Sequence, residues 1–594
     1  MPNLQILRPS VVIPAVVILA LMSSAPVTTL ADERTAADLL PPSTVVFVEI
    51  RQPQDLLDTV YDHHLARRVE ALDQVRSAME KKEYLEFRAG LALVESQMGL
   101  PWRKIAGQAI GGGIAFALDA KTQGVAVLAR ATDETTHAKL IETLVNLASL
   151  DAKNKGNADP VKTGDYRGIK YFVVDQGKFA VVGDMLVITN NDELGKQLVD
   201  RLLDSPAESL AADAQFAKAR DAVSASTTAW GYINTTALRD AGVAKEAFGG
   251  QAANPVAELL FGGILSTLRQ TPYVAVGLEV SDRQVRLSAS APHDRGWAGD
   301  SREYFFGPLG TGAAPPRLAV DGAIACACGY RDVSAMWLRA GDLLNEQSNE
   351  ELAKAESGLS TLFSGKDFGE DILGAFRPEG QIIVARQTFA DGQPAPAIKL
   401  PAFGLVAELK DPAAMQPELR RTFQNLIGFF NVVGAMNGQP QLELDMEKTD
   451  AAEFVTAKHL PDPNADDPLA MKINYNFSPT VAFAGSRFVL ASTKDLAHAL
   501  AVASAVSSPP GDAARVVNTN AVLEFDALRE ILTDNRGQLV AQNMLNEGHD
   551  KEEAEKAIGV LLELVGWVDR AELSLDTTPS ELRATVDVHI HAAD

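Results

Sequence analysis

The sequence predicts an α+β fold with two similar halves from a tandem duplication, each a mainly antiparallel sheet with packed helices. The first reason is a repeat. Phe179–Leu203 reads as strand, tight turn, strand and capped amphipathic helix, and Val481–Ala503 repeats this order without a gap, so that Gly183 matches Gly485 at an offset of 302 residues (485 − 183). The second reason is that strands joined by short turns alternate with helices, which favours antiparallel sheets.

The elements of the first half follow from periodicity and turn chemistry. Runs rich in β-branched and aromatic residues predict strands, and apolar residues three and four apart predict helices packed by one face. The predicted strands are Val45–Ile50, Ile114–Leu118, Val125–Ala129, Trp230–Ile233 and the hairpin Tyr273–Val280 with Gln284–Ser290, and helical runs begin at Pro53, cover Leu65–Met79 and Leu85–Met98, and follow Asp133. The polar segment Lys153–Asp165 is expected to be a surface loop, and Tyr166–Val174 leads into the repeated motif.

The second half restarts the same order after Leu318. It contains a strand at Ala323–Cys328, a helix around Val333–Leu344, strands at Gln381–Gln387 and Phe403–Leu409, a helix through Leu419 and Phe429, the copied motif, and a final hairpin of Arg570–Leu575 with Glu581–His591. Ala521–Glu530 matches Gly231–Asp240 at an offset of 290 (521 − 231). The offsets of the matched segments differ by only a loop's length, which favours duplication. The alternative is that the two halves share only a generic alternation of strands and helices.

Both copies of the motif carry a predicted helix cap. Asn190 with Glu193, and Ser492 with Asp495, have the spacing of a capping box.

The N-terminus has the three-part layout of a secretory signal peptide. Arg8 precedes the apolar run Val11–Met22, and small and polar residues follow up to a cleavage site expected after Ala31. An uncleaved membrane anchor is the alternative, although the run is short and contains Pro14. We therefore predict a signal peptide at 1–31, a first half at 32–310, a linker at 311–317 and a second half at 318–594.

Composition limits the classes of partner. The 594 residues are 46% apolar and 22% charged, which is ordinary for a globular protein, and the formal net charge is −24. Such a surface repels nucleic acid and anionic lipid, so nucleic acid is not an expected partner. No later segment has about 18 consecutive apolar residues, and we expect no integral membrane span after signal cleavage. Two cysteines exclude a disulfide framework.

Two pairs of residues invite a metal or redox interpretation. Cys326 and Cys328 share one face of a strand, but a disulfide at this spacing is strained and no third ligand accompanies them, so buried apolar packing is favoured. His589 and His591 also share a strand face, as two imidazoles on one metal can. No third ligand is evident there, and an exposed edge-strand pair is favoured.

Four further motifs are weaker. His63 and His64 are adjacent on a predicted helix, so their side chains diverge by about 100° and cannot serve one site. Gly111–Gly113 lacks the lysine and helix of a phosphate loop and is predicted to be a turn. Asp367–Gly369 spells DFG without the other kinase segments. Asp462–Asp467 begins like a calcium loop, but Ile473 stands where a bidentate glutamate is needed, which favours a solvated loop.

Three segments resemble an exported bacterial family catalogued only as a domain of unknown function. They are LLPPSTVVFVEIRQPQDLLD, IAGQAIGGGIAFAL and FAVVGDMLVITNNDELGKQLVDRLL, in which Val45–Glu49 and Met185–Leu194 match the family's opening strand and later hairpin–helix. The resemblance implies export and a shared fold. It implies no catalytic residues, so none is assigned.

We therefore expect an exported, non-catalytic binding or structural protein of the cell envelope, periplasmic or extracellular, whose partner is an envelope protein or ligand that the sequence does not identify. The alternative is an envelope hydrolase with a site between the two halves, which would show clustered acidic and histidine residues with perturbed pKa values. A third interpretation is a metal-binding protein that uses His589 and His591. No catalytic, cofactor-binding or metal-binding residue is assigned, and no cofactor is expected.

Overall fold

The computed structural model describes residues 34–154, 161–174, 176–204, 208–243, 245–249, 252, 254–363, 365–389, 395–436, 441–459, 470–471, 473–506 and 515–592. The predicted signal peptide at 1–31 and the acidic segment Asp462–Asp467 lie outside these residues.

The described chain mixes helices with a large antiparallel sheet, as the sequence predicted. Twenty strands belong to this sheet, and two strands of two residues each form a separate parallel pair. The expectation of a separate sheet for each half is therefore wrong. The reason is physical, because an alternating pattern reports which face of a strand is buried and does not report where a sheet ends.

Two compact units divide the chain. The first comprises Met1–Ala244, Thr271–Ser290 and Ala593–Asp594, and the second comprises Lys245–Gln270 and Ala291–Ala592. The helix Pro255–Gln270 thus belongs to the second unit, although it precedes the predicted linker in sequence.

The first unit contains ten strands and ten helices among its described residues. The strands are β1 Thr44–Ile50, β2 Gly113–Asp119, β3 Val125–Arg130, β4 Val161–Tyr166, β5 Ile169–Val174, β6 Gly177–Val182, β7 Met185–Thr189, β8 Ala229–Asn234, β9 Tyr273–Val280 and β10 Gln284–Pro292. The helices are α1 Ala36–Leu39, α2 Pro53–Tyr61, α3 His64–Ala71, α4 Asp73–Met79, α5 Lys82–Met98, α6 Trp102–Ile110, α7 Glu134–Asn154, α8 Asp192–Asp204, α9 Ala214–Asp221 and α10 Thr235–Asp240.

The second unit contains the remaining elements. The helices are α11 Lys245–Phe248, α12 Pro255–Gln270, α13 Arg295–Ala298, α14 Glu303–Phe306, α15 Val333–Leu338, α16 Ala340–Leu343, α17 Glu346–Leu362, α18 Pro412–Met436, α19 Lys494–Val502, α20 Phe525–Asp534, α21 Arg536–Glu547 and α22 Lys551–Val565. The strands are β11 Ala323–Tyr330, β12 Phe376–Ala385, β13 Ala395–Pro396, β14 Ala402–Leu409, β15 Leu442–Lys448, β16 Glu453–His459, β17 Ala470–Met471, β18 Thr480–Ala484, β19 Arg487–Ala491, β20 Val516–Glu524, β21 Val568–Thr577 and β22 Glu581–Ile590.

Strand order is the same in both units. In the first unit the hydrogen-bonded order is β10-β9-β8-β1-β2-β3-β7-β6-β5-β4. In the second unit it is β22-β21-β20-β11-β12-β14-β19-β18-β16-β15. Each strand of one row therefore has a counterpart at the same place in the other row.

The core of the first unit is an aromatic cluster under two helices. Phe216 of α9 meets Phe47 and Tyr232 of the sheet edge to face, with ring centroids 5.2 Å apart in both pairs. Edge-to-face packing is the favoured geometry of aromatic pairs. Leu194 and Leu198 place the apolar stripe of α8 against the same sheet face, and both are fully buried.

The repeated motif has the same conformation in both units. Leu496 and Leu500 of α19 are buried as their counterparts on α8 are. Gly183 and Gly485 form the tight turns with φ of 60° and 62°, a region that residues with a Cβ rarely adopt. The glycines are therefore required by the turn in each copy.

None of the helices within the described ranges combines the length and apolar composition that a bilayer crossing needs.

Candidate functional site

A cavity of about 250 Å³ lies between β5, β6, β7 and helix α8 in the first unit. We call it the β5–α8 cavity. Ligand pockets in proteins typically measure about 300–1,000 Å³, so this cavity lies just below that range and could take only a small ligand. The lining residues are Asp165, Tyr166, Ile169, Tyr171, Lys178, Phe179, Ala180, Val187, Thr189, Asn191, Asp192, Gly195, Lys196 and Val199. Nine of these fourteen lining residues therefore belong to the repeated motif that the sequence identified as scaffold.

Helix α8 begins one residue later than the sequence predicted. Asn191 caps the helix by accepting a hydrogen bond from the backbone N–H of Leu194 at 3.0 Å, whereas Asn190 accepts one from Val125 N–H at 2.8 Å. The capping box of Asn190 and Glu193 is therefore wrong, because the Asn190 side chain bonds the start of a neighbouring strand instead.

The copy shows the same shift by one residue. Thr493 caps α19 by accepting from Leu496 N–H at 3.3 Å, and Ser492 accepts from Phe403 N–H at 2.9 Å. The predicted box of Ser492 and Asp495 is wrong for the same reason. Both side chains before the caps join the motif to the adjacent strand.

A polar clamp closes one end of the cavity. The Tyr166 hydroxyl donates to Asp200 of α8 at 3.0 Å, and Arg167 donates to Asp200 at 2.8 Å and to Asp204 at 2.6 Å. The hydrogen bond to Asp200 raises the pKa of Tyr166, and the hydrogen bond from Arg167 lowers the pKa of Asp204. Tyr166 therefore stays protonated near neutral pH and acts as a donor that ties the β4–β5 turn to the helix.

The charges of the lining are unequally paired. Lys178 of β6 forms an ion pair with Asp192 of α8, and the Asp165 carboxylate accepts a hydrogen bond from Gly168 N–H at 3.1 Å. Lys196 lies over the Tyr166 ring, with its Nζ 5.7 Å from the ring centroid, and it forms no ion pair with any described residue. The one lining cation without a carboxylate partner in the described chain is therefore Lys196.

The second unit fills the equivalent place. Phe454 pairs with Ala482 as Tyr171 pairs with Ala180, which makes Phe454 the counterpart of Tyr171. The Phe454 ring stacks on the imidazole of His498 with centroids 3.9 Å apart and an interplanar angle of 4°. Ring against ring therefore occupies the space between strand and helix.

An ion-pair network stands behind this stack. Glu447 pairs with Phe454 across the strands, as Gly164 pairs with Tyr171 in the first unit. The Glu447 carboxylate lies 2.7 Å from Lys494 Nζ and 3.5 Å from His498 Nε2. The first unit has glycine where this carboxylate stands, so the two units differ in the side chains beside the cavity.

The two cysteines have the predicted buried environment. Their Sγ atoms are 3.6 Å apart, and Cys328 Sγ donates to Gln381 Oε1 at 3.4 Å. The hydrogen bond between the thiols raises the pKa of Cys328, which burial raises further, and it lowers the pKa of Cys326. The protonated Cys328 thiol is a poor metal ligand or nucleophile.

The two C-terminal histidines do not meet at one site. His591 follows the end of β22, and its Nε2 lies 3.3 Å from Asp526 Oδ1, with Asp569 also near. Sequence reasoning did not connect these aspartates with His591, because they lie on other elements. Asp526 is 68% exposed, and a solvated ion pair accounts for the arrangement.

The expectation that His63 and His64 diverge is wrong. Helix α3 begins at His64, and His63 precedes it as a cap whose Nδ1 accepts from Leu65 N–H at 3.1 Å. The two rings stack with centroids 4.3 Å apart, because only one of the residues is helical.

The two remaining described motifs are structural. Gly111 and Gly112 connect α6 to β2, which confirms the predicted turn. Asp367 caps a short helical turn by accepting from Glu370 N–H at 2.7 Å, and Phe368 packs against Trp337.

The second unit also holds a closed buried charge cluster. Glu258 of α12 is fully buried and accepts from Arg302 Nε at 2.7 Å and Nη2 at 2.9 Å, and from the Tyr304 hydroxyl at 2.9 Å. Burial is the main cause that raises the pKa of Tyr304, so the hydroxyl stays protonated. The buried polar groups of this cluster are hydrogen-bonded to one another, which indicates a role in stability.

Comparisons with known proteins give only weak matches. No protein-family model matches the chain, and no curated protein matches it. Three crystal forms of TP0453 are among the similar solved structures. Form III has a TM-score of 0.25 and 9% sequence identity, and the match covers 49% of this chain and 91% of that chain. Forms I and IV both have a TM-score of 0.24, with identities of 11% and 9%; their matches cover 45% and 44% of this chain and 81% of the other chain in both cases. Scores this low carry no argument about fold or function.

Proposed function

We propose that this chain is an exported, non-catalytic binding protein of the cell envelope, and that its first unit binds a small ligand in the β5–α8 cavity. One observation carries the proposal. The cavity is open in the first unit, whereas the stacked pair Phe454–His498 fills the equivalent place in the second. A difference between counterpart side chains, in two rows of strands that have the same order, favours a local function there.

We also propose that the two halves arose by tandem duplication. The identical order of ten strands supports it, together with the turn glycines Gly183 and Gly485 at matching φ. A chain that duplicates a complete fold retains the packing of both copies, and it can specialise one copy by changing side chains at its surface.

Binding is favoured over catalysis by the kind of groups at the cavity. Its lining contains neither histidine nor cysteine, and the lining carboxylate of Asp192 is held by Lys178. A nucleophile with an adjacent base is the usual mark of covalent catalysis. Export rests on the signal-peptide layout and on the resemblance to an exported family.

Purification of the tagged full-length protein from its native host tests both parts. Envelope fractionation with N-terminal sequencing tests export, and we expect the mature chain to begin near Asp32. Native mass spectrometry tests binding, and we expect a small-molecule adduct on the wild-type protein that Gly164→Glu/Lys178→Thr/Asp192→Lys/Lys196→His removes. A cytoplasmic chain overturns export, and an adduct that persists in the variant overturns the cavity.

A further inference from the structure

The charges and walls of the β5–α8 cavity define the class of ligand that it takes. This inference rests on the proposed function and deepens it. The carboxylates in or beside the cavity already have donors: Asp192 has Lys178, Asp165 has a backbone N–H, and Asp200 has Tyr166 and Arg167. A cationic ligand at Asp192 would have to displace Lys178. Among the described residues, Asp165 is the lining carboxylate without a cation partner, so an amine probe is needed to test that edge of the cavity.

The positive side of the cavity is different. Lys196 has the Tyr166 ring as its neighbour and no carboxylate partner among the described residues. A cation–π contact at an exposed site is weak, and a charge-assisted hydrogen bond to an acidic group is stronger. An anionic group of a ligand is thus the partner that Lys196 lacks.

Part of the cavity wall is apolar or aromatic, beside six polar or charged side chains of the lining. Ala180 and Val187 form its floor on the sheet and are buried, and Val199 closes it from the helix. The rings of Tyr171 and Tyr166 line the sides, and aromatic walls favour flat ligands that stack on them or meet them edge to face. An apolar body of limited size follows from the volume of about 250 Å³.

We propose that the β5–α8 cavity binds a small organic anion, with a flat apolar body between the tyrosine rings and an acidic group held by Lys196. The second unit supports the assignment by its substitutions. His498 stands at the place of Lys196 and is used internally, stacked on Phe454 beside Glu447. In the second unit, the residue that corresponds to Lys196 therefore already has partners within the protein.

A closed first unit can be built from the residues of the second. A Cβ on Gly164 would collide with the Tyr171 ring, so the ring must move. The counterpart ring of Phe454 lies against His498. The variant Gly164→Glu/Lys178→Thr/Asp192→Lys/Lys196→His should therefore turn the Tyr171 ring into the cavity, and Lys178→Thr avoids a contact between two lysines.

Three probes with one body and three charges test the ligand class. Phenylacetate, 2-phenylethanol and phenethylamine are titrated into the full chain by calorimetry and ligand-observed NMR. We expect phenylacetate to bind tightest. Lys196→Met should weaken it by about tenfold, the effect of losing one charge-assisted hydrogen bond, and should leave 2-phenylethanol nearly unchanged.

Controls separate the two proposals. Lys170→Met is the matched control, because Lys170 lies over the Phe172 ring, 5.0 Å from its centroid, outside the cavity lining. If the alcohol or the amine binds as tightly as phenylacetate and the closed variant abolishes that binding, the ligand class is overturned and the proposed function stands. If no probe binds, or the closed variant binds as the wild type does, both fail. Lys196→Met alone decides the class if the closed variant unfolds.

Discussion

Replacing Glu258 by glutamine should destabilise the second unit severely. The carboxylate is fully buried, and its partner Arg302 is 7% exposed, so neither group can regain water when the pair is broken. Glutamine retains the shape but removes the charge, and it directs an N–H₂ donor at donors of Arg302 or Tyr304. Removing one partner of a buried ion pair typically costs about 3–5 kcal/mol.

An exposed pair nearby supplies the control. Arg295 Nη2 lies 2.8 Å from Glu303 Oε1, a distance like that of the buried pair, but the side chains are 48% and 43% exposed. Glu303→Gln should therefore cost only about 0–1 kcal/mol. The distances are alike, so burial and the additional hydrogen bonds of Glu258 separate the two expected costs.

Native-state hydrogen exchange on peptides from Pro255–Gln270 measures the cost locally, which matters because a chain with two units need not unfold in one step. Urea unfolding of the full chain gives a second value. The reasoning is refuted if Glu258→Gln and Glu303→Gln lower the opening free energy equally, since the buried pair would then add nothing beyond a surface pair.

Three further predictions concern single side chains. Gly262→Ala should destabilise the protein, because a Cβ at this position would collide with Glu258 and Tyr304. Gly559 lies in a helix with open space where a Cβ would be placed, so Gly559→Ala should stabilise the protein by about 1 kcal/mol. Urea unfolding measures both effects. Gly183→Ala and Gly485→Ala should each cost about 1–2 kcal/mol by thermal unfolding, and equal costs would support equivalent turns. Burial lowers the pKa of His137, so the unfolded chain binds a proton at this residue more readily than the folded chain does. As the pH decreases from about 6.5, the free energy of unfolding should therefore decrease by at most about 1.4 kcal/mol per pH unit. Urea midpoints measured against pH should show a smaller slope for His137→Leu.

The repeated motif could be predicted because its signals are local. The strands end at the tight turns of Gly183 and Gly485, where only glycine fits the backbone without strain. The helix caps lie one residue later than predicted, because Asn190 and Ser492 accept hydrogen bonds from neighbouring strands. Those partners are distant in sequence.

The cavity could not be predicted from the same signals. It depends on the β4–β5 turn, where Arg167 and Gly168 both have positive φ, and arginine gives little indication of such a turn in a sequence. The clamp from this turn to Asp200 then spans 33 residues (200 − 167). Register between strands and contacts across them decide the site, and neither is written in a periodic pattern.

Both units tie the helix of the motif to the sheet by an ion pair, but the tie comes from different strands. In the second unit Lys494 reaches Glu447 on β15 and so crosses the aromatic side chain of β16. In the first unit Asp192 is bound by Lys178 on β6, the strand next to β7. The helix residue of the ion pair is therefore acidic in the first unit and basic in the second.

Moving the tie accounts for the cavity. With the ion pair relocated to β6, the place of Glu447 is free to be Gly164, and the Tyr171 ring lies over that glycine instead of against the helix. Lys196 is then left facing the opening without a carboxylate partner in the described chain. Each unit therefore has an ion pair between this helix and the sheet, although a different strand supplies it. We expect Lys178→Thr, which introduces the residue of Thr480, to loosen α8 in hydrogen exchange and Lys196→Met to leave it unchanged, because Lys178 forms the ion pair to the helix. Equal loosening by both variants would contradict this assignment.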